Sequence, residues 1–285
     1  MRHLPGDLGR RGRRTAKADT SKIEASADPA AGEGASRYVH SRSRQDDGEH
    51  DFSLDIASEA STNYIAWIAD LCRPHLGRRV LDLGAGYGVI TEQLAPGRDV
   101  VALDMSDACV AAMQIRFRGS ANVRVVQGDL RQLDLDDRFD SIVMFNVLEH
   151  IFDEQAVLES CIERLVPGGN IIIYVPAVNR LYTDWDRKVG HFRRYSKGRL
   201  AGVLQEANLR PDELRYINFF AMGPWMLSGL LTTGHKSYQS SLEMWDRTGT
   251  VLSRALEQRV RMPVGLNLFT VARPVSTGSA ASPTR

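Results

Sequence analysis

The chain has 285 residues, of which 43% are hydrophobic and 25% are charged, and its formal net charge is +1 at pH 7. This composition predicts a folded protein with a substantial core, and the near-neutral charge gives no global bias toward nucleic acid or anionic membranes. We find no apolar run long enough to span a membrane and no secretory signal, so we expect a cytoplasmic protein without a nucleic-acid partner.

The two ends of the chain differ in composition from the middle. Residues 1–50 contain few large apolar groups and many Arg, Ser, Gly and Ala residues, which predicts a disordered N-terminal tail. A basic cluster at residues 10–14 leaves open a tail that binds nucleic acid or a membrane surface. Residues 274–285 are predicted to be a second disordered tail, which leaves one domain at 51–273.

The domain is predicted to begin with one or two amphipathic helices over residues 55–76, followed by a short apolar strand. Val80, Leu81 and Leu83 form that strand, and a turn with glycines at every second position follows it. Glycine allows a tight turn and the close approach of a ligand to the backbone. The spacing is Asp-x-Gly-x-Gly-x-Gly, which differs from the Gly-x-Gly-x-x-Gly fingerprint of dinucleotide-binding folds. A glycine-rich turn that binds nothing is the alternative.

Further apolar strands also end in polar residues. Strands are predicted at 99–104, ending in Asp104, at 123–127, followed by Asp129, and at 139–146, ending in Asn146. Because helices are predicted between the strands, the strands should be parallel and their carboxyl ends should meet along one edge of the sheet. For Asp104, an alternative role is to cap the helix that follows it.

The later part of the chain completes the pattern. A helix is predicted at 153–166, stopped by the Pro-Gly-Gly turn at 167–169, and a fifth strand at 170–176. A helix from Ser196 to Ala207, a sixth strand at 216–220, a helix at 248–260 and a last strand at 266–272 follow. The segments 177–195 and 221–262 are predicted to be insertions on the substrate side. The three cysteines lie far apart, and we predict no metal site.

Several motifs resemble those of one enzyme superfamily. The Asp82–Gly88 segment resembles motif I of the class I S-adenosylmethionine-dependent methyltransferases. Residues 146–151 and 166–169 resemble the corresponding segments of small-molecule methyltransferases of the ubiquinone-biosynthesis type. Residues 190–195 read Gly-His-Phe-Arg-Arg-Tyr and resemble a signature of a bacterial subgroup. The resemblance implies a Rossmann-like α/β fold, with a seven-stranded mostly parallel sheet, helices on both faces and an antiparallel last strand.

The resemblance also implies a cofactor, S-adenosylmethionine, and the residues that bind it. The glycine loop would hold the methionine end, Asp82 the ammonium group, Asp104 the ribose and Asp129 the adenine. The complete set of implied cofactor-binding residues is Asp82, Gly84, Ala85, Gly86, Gly88, Asp104, Met105, Asp129, Leu130, Asn146 and Leu148.

The insertion at 177–195 suggests residues for the methyl acceptor. We predict substrate binding by Tyr182, Trp185, His191, Arg194 and Tyr195, with a charged network that orders the loop as the alternative. If the acceptor is a hydroxyl group, a histidine is a suitable general base, because its pKa lies near neutral pH. His150 and His191 are the candidates, and a purely structural role remains open for each.

We therefore expect a methyltransferase that acts on an O or N atom of a small molecule, as a monomer or a homodimer. One alternative is a lipid-linked or glycan acceptor, with peripheral membrane contact, because residues 221–233 carry no charge. A second alternative is a non-catalytic protein that binds S-adenosylmethionine.

Overall fold

The computed structural model describes residues 61–132, 137–223 and 243–275, which all belong to one compact unit. Both predicted tails lie outside these ranges, except that the last strand continues through Pro274 instead of ending before it. Most of the uncharged stretch at 221–233 also lies outside the described residues. No helix in the described ranges is long and apolar enough to cross a membrane.

One sheet organises the described residues. Its strands are β1 Arg79–Leu83, β2 Asp99–Asp104, β3 Val123–Gln127, β4 Phe139–Phe145, β5 Leu165–Pro176, β6 Leu209–Ile217 and β7 Asn267–Pro274. Their order in the sheet is β3-β2-β1-β4-β5-β7-β6. Neighbouring strands from β3 to β5 are parallel, whereas β7 is antiparallel to both β5 and β6. The predicted Rossmann-like fold, with an antiparallel last strand, is confirmed.

Helices cover both faces of the sheet, as predicted. They are α1 Thr62–Cys72, α2 Val89–Leu94, α3 Asp107–Arg116, α4 Glu154–Glu163, α5 Asp184–Lys188, α6 Lys197–Glu206 and α7 Val251–Glu257. The side chains of α1 and α2 pack with Val80, Val100 and Val143 on one face. Those of α4 and α6 pack with Leu81 and Ile142 on the other. The predicted N-cap of α6, Ser196, is confirmed, because its side chain accepts a hydrogen bond from the Arg199 N–H.

The central strands are buried on both faces. Ile171 and Ile173 point into one core cluster, whereas Ile172 and Tyr174 point into the other, and all four side chains have zero exposure. Burial on both faces is typical of parallel strands between two helical layers. It explains the continuous apolar runs that made these strands predictable.

Several predicted boundaries are wrong. The helix predicted to reach Val166 ends at Glu163, and β5 begins before the Pro-Gly-Gly turn, with a register irregularity that accommodates the turn. Strand β6 begins seven residues earlier than predicted and ends at Ile217. The helix predicted at 248–260 is a π-helical turn, Asp246–Thr250, followed by α7, which ends at Glu257.

Truncation of a core side chain in β5 should strongly destabilise the protein. We expect Ile172→Ala to lower the free energy of unfolding by about 2–5 kcal/mol, because the fully buried side chain leaves a cavity. Urea unfolding followed by circular dichroism measures the change. Ile115→Ala on α3 is the matched control, since this isoleucine is 70% exposed and its loss should change stability by less than about 0.5 kcal/mol. Equal effects of both substitutions would contradict this account of the core.

Candidate functional site

The glycine loop turns back against the end of β2. Gly84, Gly86 and Gly88 have φ angles of 73°, 55° and 77°, a region that favours glycine. A Cβ atom at Gly84 would lie 2.5 Å from Val147, whereas one at Gly86 would meet no atom within 4 Å. The N–H groups of Gly84 and Ala85 both donate hydrogen bonds to the Leu103 carbonyl. The loop is therefore packed at its start and open at Gly86.

Asp82 is a buried carboxylate directly below this loop. Its side chain is 1% exposed and accepts a hydrogen bond of 2.6 Å from the Thr91 hydroxyl of α2. Burial raises the pKa of Asp82 to about 7, with a smaller contribution from the charge of Asp104, while the Thr91 hydrogen bond acts in the opposite direction. No described basic side chain forms an ion pair with Asp82. An incoming cationic group would therefore find an uncompensated acceptor here.

Asp104 joins the glycine loop to the end of β2. One carboxylate oxygen accepts a hydrogen bond of 2.8 Å from the Gly86 N–H, and the other accepts one from the Ser106 N–H. The cap of α3 is Ser106, whose side chain accepts from the Cys109 N–H. The alternative role of Asp104 as the helix cap is therefore wrong. Met105 follows with 37% exposure beside the open side of the loop.

Asp129, at the end of β3, already has a cationic partner. The side chain and the backbone N–H of Arg131 both donate hydrogen bonds to its carboxylate. Burial acts to raise the pKa of Asp129, but the contacts with Arg131 outweigh it and lower the pKa below its usual value. Leu130 is 1% exposed and belongs to the core. Arg131 is not among the residues predicted from sequence, although its position two residues after the acid was a usable signal.

The segment after β4 packs against the glycine loop. Asn146 is exposed and has a φ angle of 50°, and its N–H donates to the Tyr174 carbonyl. Val147 occupies the space that a Gly84 side chain would need. Leu148 has zero exposure and lies in the core, so its side chain does not line an open site. A single 3-10 turn, Leu148–His150, follows.

That turn brings a buried glutamate together with two histidines. The ring centroids of His150 and His191 are 4.6 Å apart, and His191 Nε2 lies 3.8 Å from Glu149 Oε1. Glu149 has zero exposure, and neither carboxylate oxygen has a hydrogen-bond partner from another described residue. Burial raises the pKa of Glu149 to about 8, against the opposing effects of its own N–H and the Arg194 charge, while the Asp186 charge adds to the rise.

A buried ion-pair network holds His191 in place. Asp186 accepts hydrogen bonds of 2.8 Å from Arg194 Nε and from His191 Nδ1. Asp186 has zero exposure and Arg194 only 3%. Burial acts to raise the pKa of Asp186, but hydrogen bonds from His191, Arg194 and the Thr183 N–H lower it to about 2. Asp186 therefore carries a negative charge at neutral pH and joins His191 and Arg194 in one charged network, whereas the neighbouring Arg187 pairs with Asp184 and Arg193 with Glu154.

The other predicted acceptor-binding residues occupy different environments. Tyr195 has zero exposure, and its hydroxyl bonds to Glu154 and to the Leu148 carbonyl. The buried Arg194 bonds to Asp186 and to the Ala177 carbonyl, so both side chains have protein partners, and their role in acceptor binding stays a prediction. The Tyr182 hydroxyl donates a hydrogen bond of 2.7 Å to the His191 carbonyl. Trp185 is 41% exposed on α5.

Aromatic residues line the neighbouring face of the sheet. The hydroxyls of Tyr64 and Tyr174 are hydrogen-bonded, and the Phe145 ring centroid lies 6.1 Å from that of Tyr174. Tyr64 and Phe145 are only half-buried. Trp67, one turn along α1, is 2% exposed and packs in the core. The ends of β4 and β5 therefore offer partly accessible aromatic surface.

Comparison with known proteins identifies the class of domain. Residues 80–169 match a family model described as a methyltransferase domain. The ubiquinone biosynthesis O-methyltransferase of Pseudomonas fluorescens is 30% identical over 108 residues, which are 36% of this chain and 46% of that protein. The corresponding protein of Bordetella avium is 26% identical over 174 residues, or 54% of this chain and 71% of that protein. The chain spans about half the length of most of these curated relatives.

Solved structures show the same fold at low sequence identity. The CcbJ methyltransferase of Streptomyces caelestis superimposes with a TM-score of 0.53 and 16% identity, covering 74% of this chain and 90% of that chain. An S-adenosylmethionine-dependent methyltransferase of Clostridium acetobutylicum superimposes with a TM-score of 0.50 and 13% sequence identity. The match covers 75% of this chain and 92% of that chain. Residues 80–169, within this fold, therefore form part of a class I S-adenosylmethionine-dependent methyltransferase domain.

Proposed function

We propose that this protein transfers a methyl group from S-adenosylmethionine to an oxygen or nitrogen atom of a small molecule. The observation that carries the proposal is the open glycine at Gly86. Its N–H is bonded to the Asp104 carboxylate, and no atom lies within 4 Å of the position of an added Cβ. Both groups lie at the carboxyl ends of parallel strands, where ligands bind in open α/β sheets.

The residues at this edge fit the parts of the cofactor. We assign the methionine end to the loop residues Gly84, Ala85, Gly86 and Gly88, and its ammonium group to Asp82. Asp104 and Met105 are assigned to the ribose and adenine, because the carboxylate can accept hydrogen bonds from two adjacent hydroxyls. Asp129 remains assigned to the adenine amine, although it would share its oxygens with Arg131.

Two of the residues predicted to bind the cofactor have buried side chains. Leu130 and Leu148 are buried in the core, so they would contact a ligand through the backbone only. Asn146 is exposed just after β4 and is assigned to the region near the reacting methyl group. These assignments are ours and follow from position in the fold.

Methyl transfer needs accurate placement more than strong activation by the protein. The cofactor supplies an activated methyl group on a positively charged sulfur. The chain must hold the acceptor atom in line with that methyl group, exclude water and accept or release the acceptor proton. Glu149 and His150 closely follow Val147, whose side chain packs against Gly84, and together with His191 they are the group proposed to help the acceptor lose this proton.

The acceptor class is also a proposal. Similarity to ubiquinone biosynthesis O-methyltransferases supports a hydroxylated small molecule, and the half-buried rings of Tyr64 and Phe145 support an aromatic one. The segment 190–195 supports membership in the bacterial subgroup with the Gly-His-x-Arg-Arg-Tyr signature. A lipid-linked or glycan acceptor rests on residues 221–233, most of which lie outside the described ranges. A protein that binds the cofactor without turnover is the remaining alternative.

Binding of the product S-adenosylhomocysteine tests the assignment of the cofactor site. We expect Asp104→Ala to weaken binding at least about 10-fold, because it removes both the ribose acceptor and the bond to Gly86. Isothermal titration calorimetry measures the affinity, with NAD as a ligand that should not bind. Asp99→Ala, at the opposite end of the same strand, should bind like the wild type. Binding of NAD in preference, or equal affinity of both variants, would overturn the proposal.

A second test uses the buried charge of Asp82. Because the folded-state pKa of about 7 lies above the usual value near 4, the wild type should lose stability as pH rises between these values. Asp82→Asn carries no charge and should therefore be more stable than the wild type at pH 8, by up to about 4 kcal/mol, but equally stable near pH 4.

Urea unfolding at both pH values measures this difference, and Asp107→Asn on the exposed start of α3 is the control. The same Asp82→Asn variant should bind S-adenosylhomocysteine more weakly, because the ammonium group loses its counter-charge. If the variant were less stable than the wild type at pH 8, the carboxylate would have a stabilising role and the assignment to the ammonium group would fail.

A further inference from the structure

We propose that Glu149, His150 and His191 form a binding site for a divalent transition-metal ion, for which Zn²⁺ is the best match, beside the methyl-transfer site. Each residue offers one ligand atom, and the three atoms lie within 4.8 Å of one another. The inference rests on the proposed function for its purpose, because the ion would bind and activate the acceptor.

The Glu149 carboxylate is buried and lacks hydrogen-bond partners from other described residues. A fully buried polar group normally has a hydrogen-bond partner, and an unpaired buried carboxylate is strongly unfavourable. Both oxygens of Glu149 lack such a partner from another described residue, at zero exposure. His191 Nε2 lies 3.8 Å from Glu149 Oε1. A cation between the two side chains would satisfy the carboxylate.

His191 is held by a carboxylate at one of its two ring nitrogens. Histidines that bind metals usually donate their other ring N–H to a carboxylate, which fixes the tautomer and the ring direction. Asp186 provides this partner at Nδ1, at 2.8 Å, and Arg194 holds Asp186 from the other side. With Nδ1 as the donor to Asp186, Nε2 carries the lone pair, and it lies 3.8 Å from Glu149 Oε1. Such an arrangement is typical of a carboxylate–histidine–metal triad.

The geometry is close to that of a bound ion. Ligand atoms at about 2.0–2.1 Å from a tetrahedral Zn²⁺ lie about 3.3 Å apart. The Nε2–Oε1 distance of 3.8 Å requires only a small movement of two side chains. His150 contributes the third ligand from the same 3-10 turn, with its ring 4.6 Å from that of His191.

The ligand set indicates the class of ion and its role. Imidazole nitrogens suit Zn²⁺ and other transition metals, whereas Mg²⁺ prefers oxygen ligands. Two histidines and one glutamate leave coordination positions open, as in catalytic zinc sites. An acceptor hydroxyl in an open position would have a lower pKa and would release its proton to solvent. The oxygen would then form its bond to the methyl carbon as the carbon–sulfur bond breaks.

Direct metal binding by the full-length chain, without an affinity tag, tests the site. The protein is stripped with a chelator, desalted and titrated with Zn²⁺ in a calorimeter, with Mg²⁺ as the comparison ion. We expect about one Zn²⁺ per chain. Glu149→Gln and His150→Asn should each weaken this binding at least about 10-fold. His75→Ala should not, although His75 also lies near a carboxylate, Glu213, at 3.5 Å.

A spectroscopic readout distinguishes this site from loose binding at other side chains. Co²⁺ in a site of low coordination number gives visible absorption bands, which should appear in the wild type and in His75→Ala and be absent in Glu149→Gln. Circular dichroism confirms that each variant is folded. No Zn²⁺ binding by the wild type, or equal binding and equal Co²⁺ spectra in the wild type and Glu149→Gln, would overturn the inference.

Titration of S-adenosylhomocysteine into the same samples separates the two proposals. If this ligand binds to the wild type and to Glu149→Gln alike while Zn²⁺ binding is lost in the variant, both proposals are supported. Zn²⁺ binding without binding of S-adenosylhomocysteine would overturn the methyltransferase proposal alone. Binding of S-adenosylhomocysteine without any Zn²⁺ binding would overturn the metal site alone.

Discussion

Parallel pairing of β1 with both β2 and β4 is the constraint on which the candidate site depends. Leu83 is level with Leu103 on one side, and Asp82 is level with Val143 on the other. The three strands therefore end at the same edge, and the loops that follow them must meet there. Residues more than 60 positions apart in sequence come into contact, as the packing of Val147 against Gly84 shows.

The strands whose bounds were predictable from sequence are those with a short apolar pattern between turn residues. β2 has a buried apolar middle, and the edge strand β3 has valines around Arg124 and is followed by a Gly-Asp turn. β6 was missed over most of its length, since it is an edge strand whose exposed positions carry Arg210 and other polar groups. Its pairing with β7 comes from the tertiary fold, and a register irregularity after Pro211 disguises the alternation further.

Site residues were predictable from sequence where the backbone geometry demands a particular residue type. They were less predictable where the role of a side chain depends on whether it is buried. The glycine spacing and Asp104 could be recognised because the turn and the strand end fix both. Arg194 and Tyr195 were predicted to bind the acceptor, and sequence does not reveal that Asp186 and Glu154 are their buried partners. Glu149 was not among the predicted site residues for the same reason: an acid next to a histidine is common, and only the fold shows that its carboxylate has no hydrogen-bond partner from another described residue.

Asp82 and Glu149 share a physical property that connects stability to ligand binding. Both carboxylates are buried, neither forms an ion pair with a Lys or Arg in the described part of the chain, and burial raises the pKa of each. Such groups lower the stability of the free protein, so a sequence selected for stability alone would replace them. Any cation that binds the folded chain at these positions stabilises the folded state by mass action. The cation also binds more tightly, because its charge compensates that of the buried carboxylate. An ammonium group beside Asp82 and a metal ion beside Glu149 would thus be favoured for the same energetic reason.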